Sequence, residues 1–297
     1  MTSISSPGIP KNRAALEKTV QVRPRKRAGR IAALAGKHAL LILVSFIAIF
    51  PLYWLVVSSF KDAGEIFSST IIPLRPTLEN YRQALEQIPI APMLMNSVVT
   101  STAITLFQLA TSVLLSYAFM RWDFRGKGMI FAMLSITWLI PFQAIMVPNY
   151  VQVNVWGLKG NLAAIVLPYL ASAFACISMY QAFQAFPRAL LDAARLEDKS
   201  ELRTLWNIVL PNMRSTIVSL GILLFITSWN EYMWPMLVIQ GMDTAPIQIG
   251  LKSFTGTDTN TWGSLMAATT LSCVPIFVLY LLMQRRIVDS FMKWGIK

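Results

Sequence analysis

Apolar and polar positions divide the chain into six long hydrophobic stretches, at roughly 38–60, 92–119, 129–148, 161–183, 214–240 and 264–284. A bilayer core about 30 Å thick takes about 20 apolar residues of helix to cross. Backbone amides in lipid must pair within their own segment, so each stretch predicts a transmembrane helix. The alternating segments of about ten residues that build a membrane barrel are absent. The pattern predicts an all-α membrane protein with six transmembrane helices.

Composition agrees with this. The chain of 297 residues is 55% hydrophobic and 13% charged, where a soluble domain carries about 25% charged residues. The net charge of +12 raises nucleic acid as a partner, and the placement of the charge removes it. If residues 1–37 lie in the cytoplasm and the helices alternate, the inner segments hold 21 of the 26 Lys and Arg residues. Lys61, Arg75, Arg82, Lys159 and Lys252 lie outside. That asymmetry is the positive-inside pattern and places both termini in the cytoplasm.

Residues 1–37 are basic, with Pro7, Pro10 and Pro24 and Glu17 as the one acid. They read as a disordered cytoplasmic tail in contact with anionic lipid. Cys176 and Cys273 fall inside hydrophobic stretches and read as packing residues. His38 is the only histidine, which argues against a His-paired metal site and against Ser–His catalysis. No paired-Asp or HExxH pattern marks an intramembrane enzyme, and no GxxxxGK[ST] loop binds ATP.

The inner segment 187–211 differs from the other loops. Pro187 can open a helix, and Leu190, Leu191, Ala194 and Leu196 give it an apolar face. Ser200 is a candidate N-cap for a second short helix carrying Leu202, Leu205, Trp206 and Val209, with Pro211 as its stop. The expected unit is a cytoplasmic helix–turn–helix. An amphipathic hairpin resting on lipid headgroups fits the pattern. So does a docking element in which the small residues Ala193 and Ala194 admit a partner surface.

The segment resembles the EAA loop of type I ABC importer permeases. Its motif positions read Asp192-Ala193-Ala194, Arg195-Leu196, Glu197-Asp198-Lys199 and, without a gap, Ile208-Val209-Leu210-Pro211. Pro187-Arg188, the stretch Ser228-Trp229-Asn230-Glu231-Tyr232-Met233-Trp234-Pro235 and the ending from Gln284 to Lys297 are similar to the carbohydrate-uptake branch. The resemblance covers about 40–297. The family's Glu, Asp, Gly and Ala stand here as Asp192, Glu197, Asp198 and Lys199. Loss of the Gly bears on the turn, because Gly supplies positive φ more readily than Asp.

The resemblance implies a type I permease fold with a first helix and outer loop over 38–91. A transmembrane core follows over 92–284, then a cytoplasmic tail over 285–297. It implies a bacterial inner-membrane location and several partners. These are a second permease subunit, two ABC ATPase subunits docking on the 187–211 loop, an extracytoplasmic solute-binding protein and a sugar. ATP and Mg would be used by the ATPases, and this chain would bind no cofactor or metal. Trp229, Asn230, Glu231 and Trp234 are candidates for the substrate pathway, since an ionisable group inside a span often lines one. A structural role for Glu231 and interfacial positions for the Trp residues fit equally. Asn96 and Gln143 are expected to hydrogen-bond between helices. The same permease type for a non-sugar solute such as a glycerol phosphate ester, and a secondary transporter, remain as alternatives.

Overall fold

All six apolar stretches fold as helix, and three of them break partway. A computed structural model describes residues 25–197, 199–256 and 261–295, so most of the expected basic tail, Asp198 and the last two residues lie outside the described residues. The chain divides into two compact units, Met1–Trp54 and Leu55–Lys297. The helix α1 (Arg25–Ser59) contains Pro51 and is apolar around its circumference through the middle, as a lipid-facing helix is.

After α1, the short helix α2 (Glu79–Gln87) is held by its Asn80, which donates to Ser59 O at 2.9 Å and Lys61 O at 2.7 Å. The spine of the second unit is α3 (Ile90–Arg121). Its buried face carries Ser97, Thr100, Ser101, Ser112 and Ser116, and side chains this small let neighbouring helices approach closely.

The third stretch is not one straight helix. Helices α4 (Lys127–Leu139) and α5 (Phe142–Val155) meet at 93°. Pro141 lacks the donor that would continue the ladder and pushes Ile140 to extended geometry, with ψ 117°. The fourth stretch also bends, by 47°, between α6 (Leu162–Val166) with its 3₁₀ turn Leu167–Tyr169 and α7 (Ala173–Gln184). Asn161 caps α6 and Ser172 caps α7 through their side-chain oxygens. Gly160, at φ 85°, makes the preceding turn and donates its N–H to Val238 O at 2.8 Å.

Beyond α7 come α8 (Arg188–Leu196), α9 (Glu201–Thr204), a π-helical turn Leu205–Val209 and α10 (Leu210–Trp229). The fifth stretch then breaks at residues 230–232 before α11 (Met233–Val238). The segment 241–262 between α11 and the last helix holds α12 (Ile247–Ser253). The last helix, α13 (Trp262–Gly295), continues through most of the expected tail, so residues 285–295 extend the sixth helix. Among the described residues, four helices are long and apolar enough to cross a membrane, and the number is six if each of the two bent pairs forms one span.

Three apolar cores organise the second unit. One joins Val113 and Tyr117 of α3 to Met179 and Phe183 of α7, Leu191 of α8, and Leu205, Val209 and Met213. Another joins Met93, Trp229, Ile247 and Ala267. The third joins Ile104, Val153, Ile165, Trp234 and Val238.

Candidate functional site

Two regions carry the candidate residues. In the first, the 187–211 segment, α8 turns one apolar stripe inward. Leu191 and Ala194 are three residues apart, share a face, and are buried. Asp192, Ala193 and Glu197 are exposed. The two alanines expected to form one patch are thereby separated: Ala193 faces out, while Ala194 is 2% exposed. The outward surface also carries Leu196, 90% exposed, and farther along Leu202 and Trp206. Apolar side chains on an open face meet either a partner or lipid.

Pro211 does not end a second short helix. The helical backbone runs unbroken from Glu201 to Trp229, with Pro211 one residue inside α10. The π turn at Leu205–Val209 lies directly before it. A Pro ring clashes with the carbonyl four residues back and offers no N–H, and a widened turn relieves both problems. Asn212 Nδ2 donates to Ile208 O at 2.7 Å beside it. Ser200 holds the N-cap position of α9, but its side chain makes no capping hydrogen bond. Leu205 and Val209 of the expected apolar face are buried, whereas Leu202 and Trp206 are exposed.

The turn from α3 into α4 lies near this segment. Lys127 Nζ is 3.0 Å from Asp123 Oδ1. That hydrogen bond holds the Asp123 carboxyl below its ordinary range, with a smaller contribution from Arg188 of α8. Glu201 accepts from Arg121 Nη2 at 2.6 Å and Nε at 2.8 Å, and from Tyr117 Oη at 2.6 Å. Neither Arg121 nor Tyr117 stood out in the sequence. Their signal is the i,i+4 spacing at the end of α3, which is visible only once Glu201 is known to face them.

The second region is a cavity of about 270 Å³ inside the second unit. Ile104 and Gln108 of α3, Tyr169, Ser172 and Phe174 at the bend between α6 and α7, and Leu224, Thr227, Ser228 and Glu231 at the break after α10 line it. Its position follows from backbone chemistry. A bend inside a membrane frees carbonyls that must be paired. Gln108 Nε2 donates to Tyr169 O at 2.9 Å, and Thr111 Oγ1 reaches Leu170 O at 3.4 Å. Glu231 Oε1 accepts from Met233 N at 3.1 Å and Trp234 N at 3.2 Å, holding the first turn of α11. Tyr169 Oη and Ser228 Oγ are buried and hydrogen-bond to no protein atom. Buried polar atoms ordinarily have partners, and these two at the cavity wall are exceptions.

Of the four pathway candidates, only Glu231 lines this cavity. Asn230 is exposed and donates to Ile226 O at 2.8 Å. Trp229 and Trp234 are buried in the chain's own cores, and Trp234 Nε1 donates to Ala164 O at 3.0 Å. Their ring faces are occupied by protein, which removes them as stacking platforms. Asn96 bonds not to a neighbouring span but to Asp243 O and Ala245 O, at 2.8 and 3.2 Å, ahead of α12. Gln143 is exposed. Glu231 is the only described cavity residue that the sequence offered as a pathway candidate; Gln108 and Tyr169 carried no signal there.

Both regions lie within residues 108–293 apart from Ile104, and those residues match the family model described as "Binding-protein-dependent transport system inner membrane component". The chain belongs to that family. It is 28% identical over 256 residues to the lactose transport system permease protein LacG of Rhizobium radiobacter, covering 86% of this chain and 94% of that one. It is 32% identical over 261 residues to the sn-glycerol-3-phosphate transport system permease protein UgpE of Escherichia coli O1:K1, covering 84% and 93%. Among solved structures, the fold is similar to a chain of a bacterial ABC transporter involved in the import of the acidic polysaccharide alginate. The TM-score there is 0.73 at 20% identity, over 87% of this chain and 97% of that one. A chain of the MetNI methionine ABC transporter matches with a TM-score of 0.54 at 14% identity, over 72% and 99%. The protein is a multi-pass inner-membrane permease subunit of an ABC importer.

Proposed function

We propose that this permease forms half of the pore of an ATP-driven importer for a neutral sugar, with both termini in the cytoplasm. The cavity at the two helix breaks is its solute contact. One observation carries the solute class. The described lining of the cavity holds one carboxylate, Glu231, and no Lys or Arg. A phosphate ester needs cationic donors, and a phosphate placed about 4 Å from a carboxylate meets a repulsion of about 4 kcal/mol at an effective dielectric of 20. Hydroxyls, by contrast, need no cationic partner, and the walls of Ile104, Phe174 and Leu224 suit the apolar face of a sugar ring. At about 270 Å³ the space falls at the small end of ligand sites, about 300–1,000 Å³, and fits one sugar ring at a time.

ATP is hydrolysed in partner ABC ATPase subunits, which receive the exposed face of α8, with Asp192, Ala193 and Glu197 beside Leu196. Asp198 belongs to the same loop by sequence. Leu210 and Pro211 act from the root of α10. A second permease completes the pore, and an extracytoplasmic binding protein delivers the solute. The glycerol-phosphate reading is favoured by the 32% identity to UgpE.

Reconstitution with the ATPases, second permease and binding protein of the same transporter separates the two readings. Solute-stimulated ATP hydrolysis is measured with lactose and with sn-glycerol-3-phosphate. The sugar reading expects stimulation by lactose or another neutral sugar of a panel. Stimulation by the phosphate ester alone overturns it.

A further inference from the structure

The Arg121–Glu201 contact ties together the two helices that wall the cavity. Arg121 is the last residue of α3, and α3 carries Ile104 and Gln108 to the cavity. Glu201 is the first residue of α9, whose helix runs on through the π turn to Leu224, Thr227 and Ser228. The guanidinium engages both carboxylate oxygens, Nε to Oε2 at 2.8 Å and Nη2 to Oε1 at 2.6 Å. Such a two-pronged pair fixes orientation as well as distance. Its charges also match the helix ends, a cation at the C-terminus of α3 and an anion at the N-terminus of α9. The Arg121 side chain is only 7% exposed. Tyr117, one turn earlier on the same face, donates to Glu201 Oε2 at 2.6 Å.

Beneath the pair, Val113 and Tyr117 of α3 pack in one core with Leu191 of α8 and with Leu205 and Val209 of the π turn. The docking helix and the end of α3 therefore share a core, and the ion pair ties α3 to α9, the helix that follows the docking helix. We propose that Tyr117, Arg121 and Glu201 form a latch that carries displacement of the α8–α9 segment to α3 and α10 together, and through them to the cavity. They are positioning residues for transport, acting through the helices and not through the solute. Without the latch, the ATPases still dock and hydrolyse ATP, but the π turn absorbs the displacement and the cavity does not respond. This inference rests on the docking reading above.

The test reads the cavity without needing a transported solute. In the assembled complex, Cys176 and Cys273 are replaced by Ala and Thr227→Cys is added as a reporter. Its maleimide labelling rate is compared between the nucleotide-free and the ATP–vanadate-trapped complex. With the native latch, trapping changes the rate. Glu201→Gln and Tyr117→Phe, which keep shape, are expected to reduce that change by roughly tenfold, within the usual span of coupling between sites. Co-purification with the ATPases and ATP hydrolysis persist. Glu201→Asp, which keeps the carboxylate at the helix start, is expected to retain a measurable response where Glu201→Gln does not. An undiminished response in Glu201→Gln, or a Glu201→Asp variant as unresponsive as Glu201→Gln, overturns the latch. Failure of the ATPases to co-purify even with the native latch overturns the docking reading instead.

Discussion

Gln108 on α3 donates its side-chain amide to the main-chain oxygen of Tyr169 at 2.9 Å, closing a hydrogen bond that the bend between α6 and α7 leaves open. Gln108 is buried. The bend is a defect in one helix that is repaired by another. Gln108→Leu removes the donor at nearly constant volume. It is expected to lower stability by about 1 kcal/mol, the scale of side-chain hydrogen bonds in membrane bundles. Denaturant unfolding of the detergent-purified permease checks this, alongside Gln108→Glu, which keeps the size but not the donor.

The Glu231 carboxylate has two tasks, holding the first turn of α11 and setting the charge of the cavity. Glu231→Gln retains the acceptor oxygen and removes the charge. The variant is expected to fold and to lose discrimination between lactose and sn-glycerol-3-phosphate by roughly tenfold, or about 1.4 kcal/mol. Competition binding to the assembled complex measures it. Unchanged discrimination would show that the cavity charge does not select the solute.

Ala193 and Ala194 are adjacent in sequence and opposite in exposure. Ala193→Glu is expected to leave yield and melting temperature intact while abolishing co-purification with the ATPases. Ala194→Glu forces a charge into a buried position and is expected to reduce folded yield itself, since an unpaired buried charge costs several kcal/mol. Size-exclusion profiles of the two variants separate these outcomes.

Gly250 on α12 lies against α3. A Cβ there would sit 2.7 Å from Met93 Sδ and 2.8 Å from Ile88 Cδ1. Both side chains are buried and have little room to retreat. Gly250→Ala is expected to cost about 1–3 kcal/mol through overpacking, and Met93→Ala in the same chain should recover part of it. Thermal unfolding of the single and double variants checks both.

The apolar stretches, their approximate limits and the helical character of the 187–211 segment were legible in the sequence. Hydrophobic runs report burial in lipid, and the 192–211 spacing reports a motif. The reading of 129–148 as one helix missed the 93° bend between α4 and α5, although Pro141 is a local signal for it. The continuation of helix past Pro211 was not legible. A proline read alone is a stop, and only the π turn before it shows how the backbone passes through.

The sequence by itself determined that this is a helical membrane permease of up to six spans and singled out the 187–211 segment, because hydropathy and motif spacing are properties of neighbours along the chain. Only the tertiary structure decided that Ala194 faces in, that Trp229 and Trp234 belong to the protein's own core, and that Glu231 shares a cavity with Gln108, Tyr169 and Ser228. It also decided that Arg121 meets Glu201 across 80 positions of sequence. Each of these depends on which side of a helix faces which neighbour, and helix-to-helix registration is set by packing between distant segments.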